Sequence, residues 1–140
     1  MTRDQIKHIL QTTKTIAAVG LSADVTKDSF GVVTYLQARG YKIIPINPKA
    51  DRILGKKVYR DLLSIPADQP IDVVQIFRPS EEVVGIVEQA IQKGAKCIWM
   101  QEGITNENAA EMALKAGLSV VMDMCMMQVH RQLMDMPQLG

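Results

Sequence analysis

At 140 residues the chain has the length of one ordinary domain with one substantial core. Apolar residues reach 47% with only 4% aromatics, which excludes a disordered chain and describes an α/β core of Val, Ile, Leu, Met and Ala. A net charge of +1 argues against a general nucleic-acid binder, and no apolar run approaches the roughly 20 residues of a membrane span.

Ile6, Ile9 and Leu10 mark a short amphipathic helix within residues 1–14, expected to lid one edge of a sheet, with Thr12 and Thr13 loosening its end. That segment has no apolar leader-like stretch. Residues 16–19, IAAV, are apolar without alternation, as a strand covered on both faces of a parallel sheet requires. Gly20 then allows a sharp turn with no side chain facing a ligand. Asp28 and Ser29 are N-cap candidates for a helix whose Phe30, Val33 and Leu36 recur at helical spacing until Gly40. Its free amides point back at the glycine turn, an anion site, and Gly31 lets phosphate or strand come close.

Residues 41–46 form the second strand, ended by Asn47 and Pro48. Residues 49–71 read as connection, with one helical turn near 61–64. This connection opens with a basic run, Lys49, Arg52, Lys56, Lys57 and Arg60 against Asp51 alone, whereas residues 81–123 hold seven acids against three bases. Residues 72–77 form the third strand. Ser80 caps a helix that buries Val83, Val84, Val87, Ala90 and Ile91 and stops at Gly94, with Glu81 and Glu82 in its first turn. A fourth strand at 97–100, a helix at 105–116, a fifth strand at 118–122 and a helical stretch at 124–134 complete the pattern. Alternation of this kind implies a doubly wound, Rossmann-like sheet of five parallel strands with helices on both faces and right-handed crossovers. One domain is expected to span 1–140, with the helix of 1–14 packed on it and residues 124–140 as a C-terminal helix and tail.

In such a sheet the ligand lies beyond the carboxyl ends of the strands where strand order reverses. Residues 20–29, 47–49, 77–80 and 101–105 should therefore line it, and a phosphorylated compound is the expected guest. A nicotinamide dinucleotide normally brings a glycine triplet and an acid at the second strand's end. Here the turn reads GLSADVTKDSFG and the strand ends in Asn47, Pro48 and Lys49. A cation at that place favours a ribose carrying an extra phosphate, which leaves coenzyme A and NADP, with Lys27 near a diphosphate for either.

The ordered segments VGLS, DSFGVVTYLQARGYKIIPINP, ILGKKVY, DVVQIFRPSE, GAKCIWMQEGI and AGLSVVMDMCM resemble the small, single-domain CoA-binding protein family, itself similar to the CoA-binding domain of succinyl-CoA synthetase. The likeness runs from about Ile16 to His130. It implies that Gly20, Leu21 and Ser22 bracket the ligand and that Lys27, Ser29 and Gly31 hold phosphate. Asn47, Pro48 and Lys49 would meet the adenosine end. Phe77, Arg78 and Pro79, with Gln101, Glu102 and Gly103, would lie near the pantetheine arm. Family members often carry a basic residue between the acid and the cysteine of the last segment and a carboxylate a few residues on; this chain has Met124 and Gln128.

Other residues carry plainer readings. Arg78 could pair with Glu81 or Glu102, most of the basic run is a solvated loop, and Arg52 is a weaker phosphate candidate than Lys49. Glu102 suits a hydrogen bond to a ligand amide or a helix start better than acid catalysis. Cys97 belongs to the core; Cys125 is a small buried residue, or a thiol near that of a ligand. His130 lies five positions past Cys125, roughly 140° round a helix, so they form no helical metal pair. Met122, Met124, Met126, Met127, Met134 and Met136 suit packing or a homodimer interface. Two cysteines without a disulfide framework fit reduced thiols in a soluble cytoplasmic protein. The expectation is a binding module for coenzyme A or an acyl-CoA, a carrier, sensor or regulatory unit without catalysis or metal. An NADP-dependent oxidoreductase or redox sensor is the alternative.

Overall fold

In the computed structural model, which describes residues 1–135, a parallel sheet forms from β1 (Thr15–Val19), β2 (Lys42–Ile46), two short strands β3 (Arg52–Ile53) and β4 (Lys56–Lys57) make a separate hairpin, and β5 (Val73–Ile76), β6 (Cys97–Met100) and β7 (Ser119–Val121) complete the sheet. The five-stranded sheet has the order β2-β1-β5-β6-β7, every pairing parallel. The chain leaves β1 toward one edge and returns to build the other, so strand order reverses between β1 and β5. Five α-helices accompany the strands: α1 (Arg3–Thr12), α2 (Asp28–Ala38), α3 (Val83–Gln92), α4 (Glu107–Lys115) and α5 (Met126–His130).

Alternation along each strand divides the core. Ala17, Val19, Ile44, Ile46, Val74, Ile76, Ile98 and Met100 point to the face covered by α3 and α4. Ile16, Ala18, Ile43, Val73, Cys97 and Trp99 point to the opposite face, with Ile6 and Leu10 of α1, Val32, Val33 and Leu36 of α2, and Met126 of α5. All five β1 residues are buried, the signature of a strand with no solvent face. The helix α1 thus joins one face of the sheet instead of lidding an edge. Thr2 and Gln5 form its capping box, and Tyr41 donates its hydroxyl to the Leu10 carbonyl at 2.6 Å. Trp99 is fully buried and its indole N–H donates to the Met124 carbonyl at 2.8 Å.

Several boundaries differ from the sequence expectation for local reasons. The strand β2 ends at Ile46, ahead of Asn47 and Pro48 as expected, but it also holds Pro45 inside it. Because β2 is an edge strand, the missing N–H faces outward, on the side where the Pro45 carbonyl accepts from Tyr59 N–H at 3.0 Å. Asp28 and Ser29 are not caps. Lys27 holds the N-cap position of α2 with no side-chain hydrogen bond, and Ser29 Oγ instead accepts from Ser22 N–H at 3.1 Å. Ser80 opens a 3-10 turn, Ser80–Glu82, ahead of α3, and its hydroxyl oxygen accepts from Thr105 N–H. The helix α4 begins two residues later than expected because Asn106 caps it, accepting from Ala109 N–H at 2.9 Å.

Within 49–71 the β3–β4 hairpin was not expected; its turn places Leu54 and Gly55 at φ 56° and 71°. The helical turn anticipated near 61–64 is the 3-10 turn Leu62–Ser64, capped by Asp61. The helical stretch expected at 124–134 begins two residues later, at Met126, and from Arg131 to Asp135 it continues as a π-helix. The remainder of the expected tail, with Met136, lies outside the described residues. Among the described residues no helix is long and apolar enough to cross a membrane.

Candidate functional site

Beyond the paired carboxyl ends of β1 and β5 the chain turns to helices on opposite faces of the sheet, and two clefts open there, both lined by Gly20. The first, about 590 Å³, lies toward α3 and the Leu62–Ser64 turn. It takes Asn47, Pro48 and Lys49 from the end of β2, Arg60 from the following loop, and Arg78, Gly85, Ile86 and Gln89 from beyond β5. The second, about 860 Å³, lies toward α2 and α5 and is lined by Ser22, Lys27, Ser29, Gly31, Phe77, Gln101, Glu102, Cys125, Met127 and Gln128, among others.

Gly20 joins the two. Its φ of 86° suits glycine, and a Cβ there would stand 2.7 Å from Arg78 Cδ, so the aliphatic stem of Arg78 lies directly on the turn. The Arg78 guanidinium donates to both carboxylate oxygens of Glu82, at 3.3 and 2.8 Å. Its partner is therefore Glu82, not Glu81 or Glu102, because position i+4 falls on the same side of the turn entering α3. Both side chains are nearly half exposed, which makes this a weak pair that a stronger anion can displace.

At the start of α2 a cation and a vacancy coincide. Lys27 precedes the helix, no side chain caps it, and its axis directs the positive end of the backbone dipole at the second cleft. No atom lies within 4 Å of where a Gly31 Cβ would stand. The expected close approach of a strand is absent; the missing side chain leaves open cleft instead. Asp28 and Glu102 also line this cleft, so its charge is mixed and the anion site is local to the helix end.

Of the residues expected to meet a ligand, Gly20, Ser22, Lys27, Ser29, Gly31, Asn47, Pro48, Lys49, Phe77, Arg78, Gln101 and Glu102 line one cleft or the other. Leu21 is fully buried with its side chain in the core, and Pro79 and Gly103 are exposed and line neither cleft. Gly103 instead donates its N–H to Asp123 Oδ1 at 2.6 Å. Asn47 faces the first cleft, but its side chain holds the crevice together: Nδ2 donates to the Leu21 carbonyl at 3.0 Å and Oδ1 accepts from Lys49 N–H at 2.8 Å. Arg52 turns into its own hairpin, donating to the Gly55 carbonyl.

Arg60, Gly85 and Gln89 complete the first cleft unanticipated as ligand-facing residues. Arg60 could have been found by noting that the basic run must return to the sheet, since Tyr59 pairs beside Ile46. Gly85 could have been found as a glycine interrupting the apolar helix pattern VVGIV.

The two thiols differ. Cys97 is buried in β6, and burial pushes its pKa up to about 12, which keeps it protonated and inert. Cys125 precedes α5 at the edge of the second cleft, 9% exposed. His130 is turned away from it, with Nδ1 2.9 Å from the Tyr35 hydroxyl and its ring edge-on to Tyr35 and Tyr41.

The profile of a CoA binding domain matches residues 14–131. An uncharacterized protein of Bacillus subtilis, YneT, is 42% identical over 126 residues, covering 90% of this chain and 92% of its own length. A solved structure of a hypothetical protein from Pyrococcus horikoshii superimposes with a TM-score of 0.91 at 41% identity, covering 95% of this chain and 92% of that one. An ADP-forming acetate–CoA ligase II of Archaeoglobus fulgidus is 35% identical over 97 residues, which are 67% of this chain but only 14% of the ligase. The match across nearly all of β1 to α5, on a sheet whose clefts meet at Gly20, means that this chain belongs to the CoA-binding domain family.

Proposed function

We propose that the chain binds coenzyme A or an acyl-CoA as a stand-alone module, a carrier, sensor or regulatory unit without catalysis of its own. The observation that carries this reading is the pair of clefts joined at Gly20, one edged by cations and the other by an uncapped helix start. The residues fit such a ligand. Lys49 and Arg60 would meet the 3′-phosphate, with Ile46, Leu62 and Ile86 as apolar walls for the adenosine. Lys27 and the first amides of α2 would hold the diphosphate, the open position at Gly31 giving it room. Phe77, Gln101 and Met127 would flank the pantetheine arm, whose thiol end would run toward Cys125. The ligase relative supports the same ligand, since 67% of this chain aligns with part of a protein named as an acetate–CoA ligase.

Isothermal titration calorimetry with coenzyme A, dephospho-CoA, NADPH and NADH tests the reading. Coenzyme A should bind more tightly than dephospho-CoA, and Lys49→Ala should remove most of that difference; a charge-assisted phosphate contact is worth about 1.5–3 kcal/mol. Preference for NADPH over coenzyme A would refute it. So would conversion of acetyl-CoA by the purified chain, as far as the non-catalytic role is concerned.

A further inference from the structure

We propose that Gln101 is the donor that grips a carbonyl of the ligand's arm, a pantetheine amide or an acyl thioester, and that the buried Gln75 is present to hold it in that orientation. This rests on the coenzyme A reading above and names the contact within it.

Gln101 follows β6 and is 6% exposed, lining the second cleft. Its Oε1 accepts from Met126 N–H at 2.9 Å and from Gln75 Nε2 at 3.1 Å. A backbone N–H can only donate, so the amide oxygen of Gln101 is fixed on that side and both its lone pairs are used. Its Nε2 must therefore turn the other way. Among the described residues that nitrogen has no acceptor.

Gln75 explains itself only through this arrangement. It sits in the middle of β5, fully buried, in register with Ala18 and Trp99. Once Gln101 Oε1 is an acceptor, Gln75 must present its Nε2, which leaves Gln75 Oε1 buried without a partner. A leucine or methionine would fill the space without that orphan, so packing does not call for glutamine here. Nor does capping α5 account for the pair. Capping needs the oxygen of Gln101, but neither its free N–H₂ nor a second buried amide behind it.

The chemistry of the cleft narrows the occupant of that donor. Phe77, Ile104 and Met127 make its walls partly apolar, and an uncharged N–H₂ matches an uncharged acceptor. The pantetheine amides and an acyl thioester offer such carbonyls; the phosphates do not need them.

The test is Gln101→Glu at pH 8. It retains an oxygen for Met126 and Gln75 but replaces the free donor by an acceptor. Calorimetry against coenzyme A, acetyl-CoA and adenosine 3′,5′-bisphosphate, with melting followed by circular dichroism, should show acetyl-CoA weakened about tenfold, as expected for one lost hydrogen bond, with the bisphosphate unchanged. Equal losses for coenzyme A and acetyl-CoA support a pantetheine amide as the acceptor; a larger loss for acetyl-CoA supports the thioester. Binding of both within twofold of the parent overturns the proposal, as does an equal weakening of the bisphosphate. Gln75→Leu keeps the question open to refutation if the first variant does not fold. It should melt higher than the parent yet bind acetyl-CoA several-fold more weakly, and undiminished binding would remove Gln75 from the device. If the parent chain itself does not bind coenzyme A, it is the proposed function that fails.

Discussion

Gly20 and Gly31 border the same crevice and are glycines for opposite reasons. The first has a left-handed backbone and the stem of Arg78 against it, so Gly20→Ala should lower stability by about 1–2 kcal/mol, read as a fall in the melting temperature. The second has ordinary helical backbone and no neighbour, so Gly31→Val should change stability by less than about 0.5 kcal/mol. It should nevertheless weaken coenzyme A by at least about tenfold, because the new side chain projects where a phosphate would sit. A well-folded Gly31→Val protein with parental affinity would place the diphosphate elsewhere. The sequence made both glycines visible but could not separate them: a one-letter string marks a missing side chain and not what stands in its place. The same limit applies to Asn47, a polar residue at a strand end whose amide is consumed by Leu21 and Lys49, and to Arg78, whose partner depended on how the chain enters α3.

The elements converge on Asp72, which ties the beginnings of three strands. Its Oδ2 accepts from the N–H groups of Lys14 and Thr15 at 2.9 and 3.0 Å, where β1 begins, and its Oδ1 meets Lys96 Nζ at 3.3 Å, ahead of β6. Burial raises the carboxyl's pKa, but those two amides and the Lys96 ammonium outweigh it, so the net shift is downward from 3.8. A depressed folded pKa contributes stability that is complete above the unfolded value and disappears as pH falls through the folded one. Chemical denaturation from pH 7 to pH 2 should therefore show the parent losing stability below about pH 4 more steeply than Asp72→Asn. Identical profiles would remove Asp72 from that role. The strands and helices themselves were legible because apolar runs and helical spacing are local signals. The β3–β4 hairpin was not. Its strands are two residues long, and its turn places a leucine at positive φ, which no turn preference anticipates.

For the whole molecule, the doubly wound sheet of five parallel strands was readable from the alternation of strand and helix patterns, whereas the order that puts the reversal between β1 and β5 is set by strand pairing. The crevice followed from that topology, and with it most of its lining. What sequence could not supply was the pairing of surfaces from distant segments: Arg60 and Gln89 brought to one wall, Gln75 set behind Gln101, Cys125 carried to the rim opposite Lys27. The cysteines give this arrangement a simple check. In the native protein a thiol reagent should leave Cys97 unmodified, and that thiol should react only in denaturant.

The chain's one tryptophan has a further use. Trp99 is sealed in the interior, yet its indole nitrogen is bonded to the carbonyl of Met124, immediately before the residue at the cleft's rim. The molecule thus carries an optical gauge beside the place where a thioester would arrive: its emission should be blue-shifted when folded, shift to the red on denaturation, and respond to an acyl-bearing guest without any attached dye.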